Sequence, residues 1–211
     1  MSFQTDSYAN TAKTIIENLK KRNMNGYYCQ NAQEARELVK ELIPEGASVT
    51  WGGSETMNET GIMDMLKEST YHLIDRKNAA TPEDARKLYG EIVTADYFLT
   101  GTNAITLGGE LINVDGNGNR VACLITGPSH VIVVAGMNKV AVTEEDGIRR
   151  VRNMAAPPNS IRVGASTPCT KTGKCEDCQS PDCICCQTVI TRRSRIKNRI
   201  TVVLIGESYG F

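Results

Sequence analysis

Two short runs, at residues 96–100 and 130–135, limit what this chain can become. Each is nearly continuous in apolar residues and each ends at a glycine, Gly101 and Gly136. A strand with one wet face alternates apolar and polar side chains, so unbroken apolarity marks strands covered on both faces, the habit of mainly parallel sheets. Both runs therefore belong near the centre of such a sheet. Residues 47–51, 71–75 and 200–205 supply further strands, with a brief one at Tyr27-Tyr28-Cys29.

Helical spacing fills the intervals. Tyr8, Ala12, Ile15, Ile16 and Leu19 share one helix face, and Asn31 is placed to cap a second helix whose inner residues are Ala35, Leu38, Val39 and Leu42. Thr81-Pro82-Glu83-Asp84 is a helix start with a capping hydroxyl, proline at the first turn and acids at the positive end of the dipole. Its inner face is Ala85, Leu88, Tyr89 and Ile92. A helix opening at Thr143 turns Ile148, Val151 and Ala155 inward and Arg149, Arg150 and Arg152 outward, until Pro157-Pro158 stops it. Between the central strands, residues 110–114 and 120–124 flank Asp115-Gly116-Asn117-Gly118-Asn119, whose Asp-Gly and Asn-Gly steps suit a β-hairpin. Residues 188–191 and 200–205 form a closing strand pair across a basic turn. With 211 residues and 40% apolar content, the expectation is one α/β domain over 1–211. It is a three-layer α/β/α fold around a mainly parallel sheet, with an inserted hairpin and a cysteine-rich loop at 167–187.

Open α/β sheets place ligands beyond the carboxyl ends of their strands. Thr100, Gly101, Asn103, Asn138 and Lys139 fall just past the two central strands, and Gly53, Ser54 and Glu55 follow another. These eight residues are the candidate ligand site, suited to a small carboxylate or phosphate because a strand, glycine turn and helix start aims backbone N–H groups at an anion. Gly52-Gly53 would equally serve a plain tight turn. Ser54 lacks the final glycine of a nucleophile elbow, and only His72 and His130 could act as its base. His130 either lines the pocket or satisfies a strand edge, and Arg76-Lys77-Asn78 either meets the anion or is solvated. No catalytic residue is assigned.

Six of the eight cysteines lie at 169–186, in the run TPCTKTGKCEDCQSPDCICC, which has almost no apolar residue with which to fold by burial. Thiolates separated by two residues can grip one ion and supply that missing order. The expectation is one metal centre in a reducing compartment rather than disulfides, with a [4Fe–4S] cluster favoured over zinc because the spacing lacks a second paired knuckle. Cys29 and Cys123 read as core residues. Lysine plus arginine equals aspartate plus glutamate at 24 each, so charge offers nothing to nucleic acid or an anionic membrane. No run approaches the ~20 apolar residues of a membrane span and residues 1–20 lack a secretory pattern, so a cytoplasmic location is expected.

The runs Asp96-Tyr97-Phe98-Leu99-Thr100-Gly101-Thr102-Asn103, Gly118-Asn119-Arg120-Val121 and Gly127-Pro128-Ser129-His130, continuing to Gly136-Met137-Asn138-Lys139, resemble the core of the lactate-utilisation (LUD) domain family. The resemblance implies a fold similar to the sugar-phosphate isomerase and CoA-transferase superfamily. It also implies oxidation of lactate to pyruvate in company with iron–sulfur and oxidoreductase partner proteins. Relatives carrying such a tail show a similar cysteine pattern, matched here by Cys169, Cys175, Cys178 and Cys185, with Cys183 and Cys186 additional. An enzyme of the transferase or isomerase kind, or a non-catalytic subunit with structural zinc, would use the same features differently.

Overall fold

The continuous apolar runs become a six-stranded sheet in which every neighbouring pair is parallel. The structure, a computed structural model, describes residues 3–211. In chain order the elements are α1 (Phe3–Lys21), β1 (Asn25–Cys29), α2 (Ala32–Leu42), β2 (Ser48–Trp51), α3 (Glu55–Glu59), α4 (Ile62–Lys67), β3 (His72–Ile74), α5 (Pro82–Thr94), β4 (Tyr97–Gly101) and β5 (Ala104–Thr106). There follow β6 (Leu111–Asp115), α6 (Asn119–Ile125), β7 (His130–Gly136), β8 (Val140–Ala141), α7 (Glu144–Arg150), α8 (Ala156–Arg162), α9 (Cys169–Thr172), β9 (Gln187–Thr191) and β10 (Ile200–Ile205). The sheet order is β1-β10-β7-β4-β2-β3, which puts β7 and β4 in the middle as their composition requires.

Alternate side chains of these strands feed two cores, one on each face. Phe98, Val131, Val133, Val202 and Leu204 pack with Ala12, Ile15 and Leu19 of α1 and Leu124 of α6. Leu99, Ile132, Val134, Val203 and Ile205 pack with Ala35 and Val39 of α2 and with Met57, Ile62 and Leu66 of α3 and α4. Helices thus cover both faces, giving the expected three layers. Asn31, Thr81 and Thr143 cap α2, α5 and α7 through their side chains, the last two in full capping boxes. No helix among the described residues is long and apolar enough to cross a membrane.

Four local expectations are corrected. The hairpin exists one element earlier: β5 pairs antiparallel with β6 across a turn containing Gly109 at φ +90°, whereas residues 119–125 are the helix α6. Gly118, at φ +80°, serves there as a helix N-cap, and Val121 and Leu124 sit three residues apart on the buried side. β9 and β10 do not pair. β9 joins β6 at the edge of a second sheet of order β8-β5-β6-β9, because its residues are only partly buried or exposed, while the wholly buried β10 lies between β1 and β7. Pro157-Pro158 does not end the helix after Thr143. A π-helical stretch, Val151–Ala155, shifts the hydrogen-bond register so that the prolines fall in the first turn of α8, where their missing N–H groups are not needed. Arg150 does not face outward: it is buried, and its guanidinium donates to the carbonyls of Asn138 and Asn103 at 2.9 and 2.6 Å.

Candidate functional site

Parallel strands bring their carboxyl ends to one edge, and there the loops after β2, β4 and β7 enclose an open cavity of about 460 Å³. Its walls include Gly53, Ser54, Glu55, Gly101, Asn103 and Lys139, six of the eight residues expected from sequence. The turn after β2 and the end of β4 meet closely: a Cβ on Gly101 would lie 2.7 Å from Ser54 Oγ. The missing side chain at Gly101 therefore leaves room for the Ser54 hydroxyl at the strand end.

The other two expected residues do different work. Thr100 is fully buried and its hydroxyl donates to the Gly101 carbonyl at 3.0 Å. Asn138 fastens the chain end to the sheet: its carboxamide donates to the Gly210 carbonyl at 3.1 Å and accepts from the Tyr209 N–H at 3.2 Å. His130 lies at the amino end of β7, exposed and stacked on Tyr97 at 4.8 Å, far along the strand from the pocket.

Most of the pocket's positive charge comes from residues that sequence reasoning discounted or passed over. Arg76 and Arg162 converge above Gly53, where a Cβ would lie 3.2 and 4.0 Å from their Nη2 atoms. Arg162 also stands 3.7 Å from Glu55, and its Nε and Nη2 donate to Asn159 Oδ1 at 3.0 and 2.7 Å, which orients the guanidinium at the pocket wall. Since α3 spans only Glu55–Glu59, the guanidinium groups rather than a helix dipole supply the field. Sequence gives Arg162 no signal because the prolines little more than one turn before it read as the helix end, whereas they form the first turn of α8.

Arg120 builds the floor. Its guanidinium donates to Asp115 at 3.2 Å, to Asn113 and Asn103 at 2.7 and 3.2 Å, and to the carbonyls of Val114 and Gly101 at 2.9 and 3.3 Å. These bonds tie β4, β6 and α6 together, and burial pulls the Arg120 pKa down while Asp115 beside it opposes the shift. Lys139, 4% exposed, projects from the short turn after β7 and donates to Thr56 Oγ1 at 2.7 Å. Burial first, then the nearby charges of Arg150 and Arg120, bring its ammonium down to about 7, with Glu59 pulling the other way.

The thiols gather on the far side of one pocket wall. Cys169, Cys175, Cys178, Cys183 and Cys185 border a cavity of about 100 Å³, while Cys186 is exposed and its thiol donates to the Cys183 carbonyl at 3.2 Å. Although Cys185 as a residue is exposed, its thiol is screened within the cluster. That desolvation, followed by the neighbouring Cys183, Cys175, Cys169 and Cys178, pushes it up to about 12. Among the described residues no three His, Cys, Asp or Glu side chains stand as a ready metal-ligand group. The donor chemistry is nevertheless of the kind that could hold a metal: five thiols border one cavity, and a cation there would offset the burial that raises the Cys185 thiol. Cys29 and Cys123 are buried core residues, the Cys29 thiol raised to about 11 by burial first and then by Glu34.

The family model described as the LUD domain matches residues 12–205. Among solved structures, a protein of the family titled duf162 from Deinococcus radiodurans is similar over 94% of this chain and 98% of its own, with 13% identity and a TM-score of 0.55, a likeness of fold. Ribose 5-phosphate isomerase from Plasmodium falciparum matches 53% of this chain and 52% of its own at 20% identity and a TM-score of 0.34. The isomerase from Methanocaldococcus jannaschii matches 61% of this chain and 60% of its own, with 17% identity and a TM-score of 0.33. No curated protein matches the chain.

Proposed function

The chain belongs to the LUD domain family, and from that premise we propose that it takes part in oxidising lactate to pyruvate, holding a small carboxylate at the strand-end pocket beside a thiolate-bound centre. The observation that carries this reading is a shared wall: Cys183 and Ile184 line both the ligand pocket and the cysteine cavity. A substrate held in one would lie within a side chain or two of the other.

The roles follow from the chemistry of each group. Arg76 and Arg162 would clamp the carboxylate, since two planar guanidinium forks match its two oxygens. Gly53 and Gly101 leave the backbone open beside it, and Ser54 offers a hydroxyl to the substrate's own oxygen. Arg120 fixes the floor. A phosphate would satisfy the same arginines. Cys169, Cys175, Cys178 and Cys185 would hold the metal centre, a [4Fe–4S] cluster in preference to zinc, with Cys183 close enough to stand in for Cys185. When bound, an iron–sulfur cluster supplies one-electron transfer. Partner proteins of the iron–sulfur and oxidoreductase type would take the electrons onward.

Lactate oxidation by the anaerobically purified chain, assayed with a soluble electron acceptor with and without candidate partner proteins, tests the function. Turnover that requires the chain and falls by about tenfold at low lactate in Arg76→Ala is the expected outcome. Iron and acid-labile sulfide analysis tests the centre separately, and stoichiometric zinc without sulfide would overturn the cluster.

A further inference from the structure

Lys139 is hard to explain as a salt-bridging or solvated residue. It is 4% exposed, and among the described residues its amine has Thr56 Oγ1 as its hydrogen-bond partner and no carboxylate within ion-pair distance. The charges that act on it include Arg150 and Arg120, both repulsive, against Glu59. A lysine kept only for its charge would be better placed at the rim, where water and a carboxylate could serve it. This one instead borders the same cavity as Ser54, Arg76 and Arg162.

We infer that Lys139 is a covalent carbonyl-binding residue, condensing reversibly with the keto group of a small 2-oxo acid whose carboxylate is held by Arg76 and Arg162. The inference rests on the small-carboxylate reading of the pocket. The Nζ lone pair attacks the carbonyl carbon to give a carbinolamine. The carbonyl oxygen leaves as water with the two amine protons, and the imine nitrogen takes one proton from solvent. No oxidant or reductant is consumed. The neutral amine this step needs is the form that burial favours, because the Lys139 ammonium is held down to about 7. Thr56 Oγ1, 2.7 Å from Nζ and itself donating to the Tyr209 carbonyl at 3.2 Å, sets the direction of the amine. The resulting iminium would be an electron sink beside the carboxylate, a chemistry that makes the neighbouring carbon acidic.

Pyruvate and sodium borohydride are the probes. The full chain is incubated with pyruvate, reduced, and examined by intact mass and by peptide mapping, with pyruvate binding measured in parallel by calorimetry on the same preparation. The expected result is one reduced pyruvyl adduct, located on Lys139 in the wild-type chain and lost in Lys139→Arg, which keeps the charge but cannot condense. Binding of pyruvate without an adduct, or an adduct located on another lysine, would overturn the lysine chemistry while leaving the pocket reading intact. Absence of any pyruvate binding would overturn both. Because the map locates the adduct in the wild-type chain, the outcome does not depend on the variant folding.

Discussion

The strand-end pocket and the cysteine loop meet at Cys183 and Ile184, yet different forces hold them. Beneath the pocket lie strands whose residues are almost all buried, and a largely enclosed arginine joins three elements through five hydrogen-bond partners. From residue 168 to residue 188 no residue is buried, and the loop is fastened by a few polar contacts such as Asp182 to the Ser166 N–H at 3.0 Å. The first region is ordered by hydrophobic burial and by polar groups that are hydrogen-bonded except Asn113 Nδ2, so its order does not rest on a ligand. The second lacks that source of order, and on the proposed reading its order comes from what its thiols bind. On that reading one molecule joins a pocket ordered by burial to a loop ordered by its ligand.

The largest break in this comparison is expected from Arg120→Met. It leaves Asp115, 9% exposed, without its cation and strips donors from Asn113 and two carbonyls. Removing one partner of a buried pair costs about 3–5 kcal/mol. For a chain of this size that lowers Tm by on the order of 10 °C, read by thermal unfolding. A shift under a degree would show that the hub is not what orders the pocket floor.

Lys139→Met should act in the opposite direction. Its ammonium titrates near 7 in the folded chain against 10.5 as the ordinary value. Below pH 7 both folded and unfolded chains carry the charge, and the folded one bears the full penalty of burying it beside Arg150 and Arg120. Between those values the unfolded chain holds more protons, so wild-type stability rises with pH, and above the upper value the penalty is gone. The variant should therefore be more stable than wild type by on the order of a few kcal/mol at pH 6, with the gap closing toward pH 10. Denaturant unfolding at both pH values checks it. A gap that does not change with pH would mean that the amine is not buried as a titrating group.

A smaller effect belongs to the pocket rim. Arg76→Ala and Arg162→Ala remove one guanidinium each from an open cavity, so each should weaken binding of a small carboxylate by about tenfold, roughly 1.4 kcal/mol, and leave Tm unchanged. Calorimetric titration with lactate or pyruvate reads this. Wild-type affinity in both variants would move the anion site away from Gly53.

The same division explains what the sequence made legible. Burial on both faces forces unbroken apolar runs, so β4, β7 and β10 announced themselves, and the caps at Asn31, Thr81 and Thr143 are local side-chain chemistry readable in four residues. The misread pieces depend on partners distant in sequence. Asp115-Gly116-Asn117-Gly118 fits a hairpin turn by residues that tolerate positive φ, but only packing of Val121 and Leu124 against the sheet decides that a helix follows. β9 lies near β10 in sequence but pairs with β6, because edge and centre strands want different faces covered. At the site, glycines and residues just past strand ends could be found by topology. Arg76 and Arg162 come from a loop and a helix end whose approach to Gly53 has no sequence spacing to reveal it.

The finest test of the comparison is Cys175→Ser. If the loop owes its order to bound metal and the core to burial, losing one of the expected ligands should release the metal and expose residues 168–188 to protease. The core's unfolding midpoint should move by no more than about 0.5 kcal/mol, the range of a surface substitution. Limited proteolysis followed by mass analysis locates the cleavage, and tryptophan fluorescence of Trp51, the sole tryptophan and a residue of β2, follows the core. Pocket affinity should fall as well, since Pro181, Asp182, Cys183 and Ile184 form one of its walls. That fall should be reversed in the wild-type chain by restoring metal after chelation, and should not be reversed in the variant. A core that melts together with the loop would show that the two regions are one cooperative unit. An intact loop in the metal-free chain would show that the polar contacts around Ser166 and Asp182 suffice to order it.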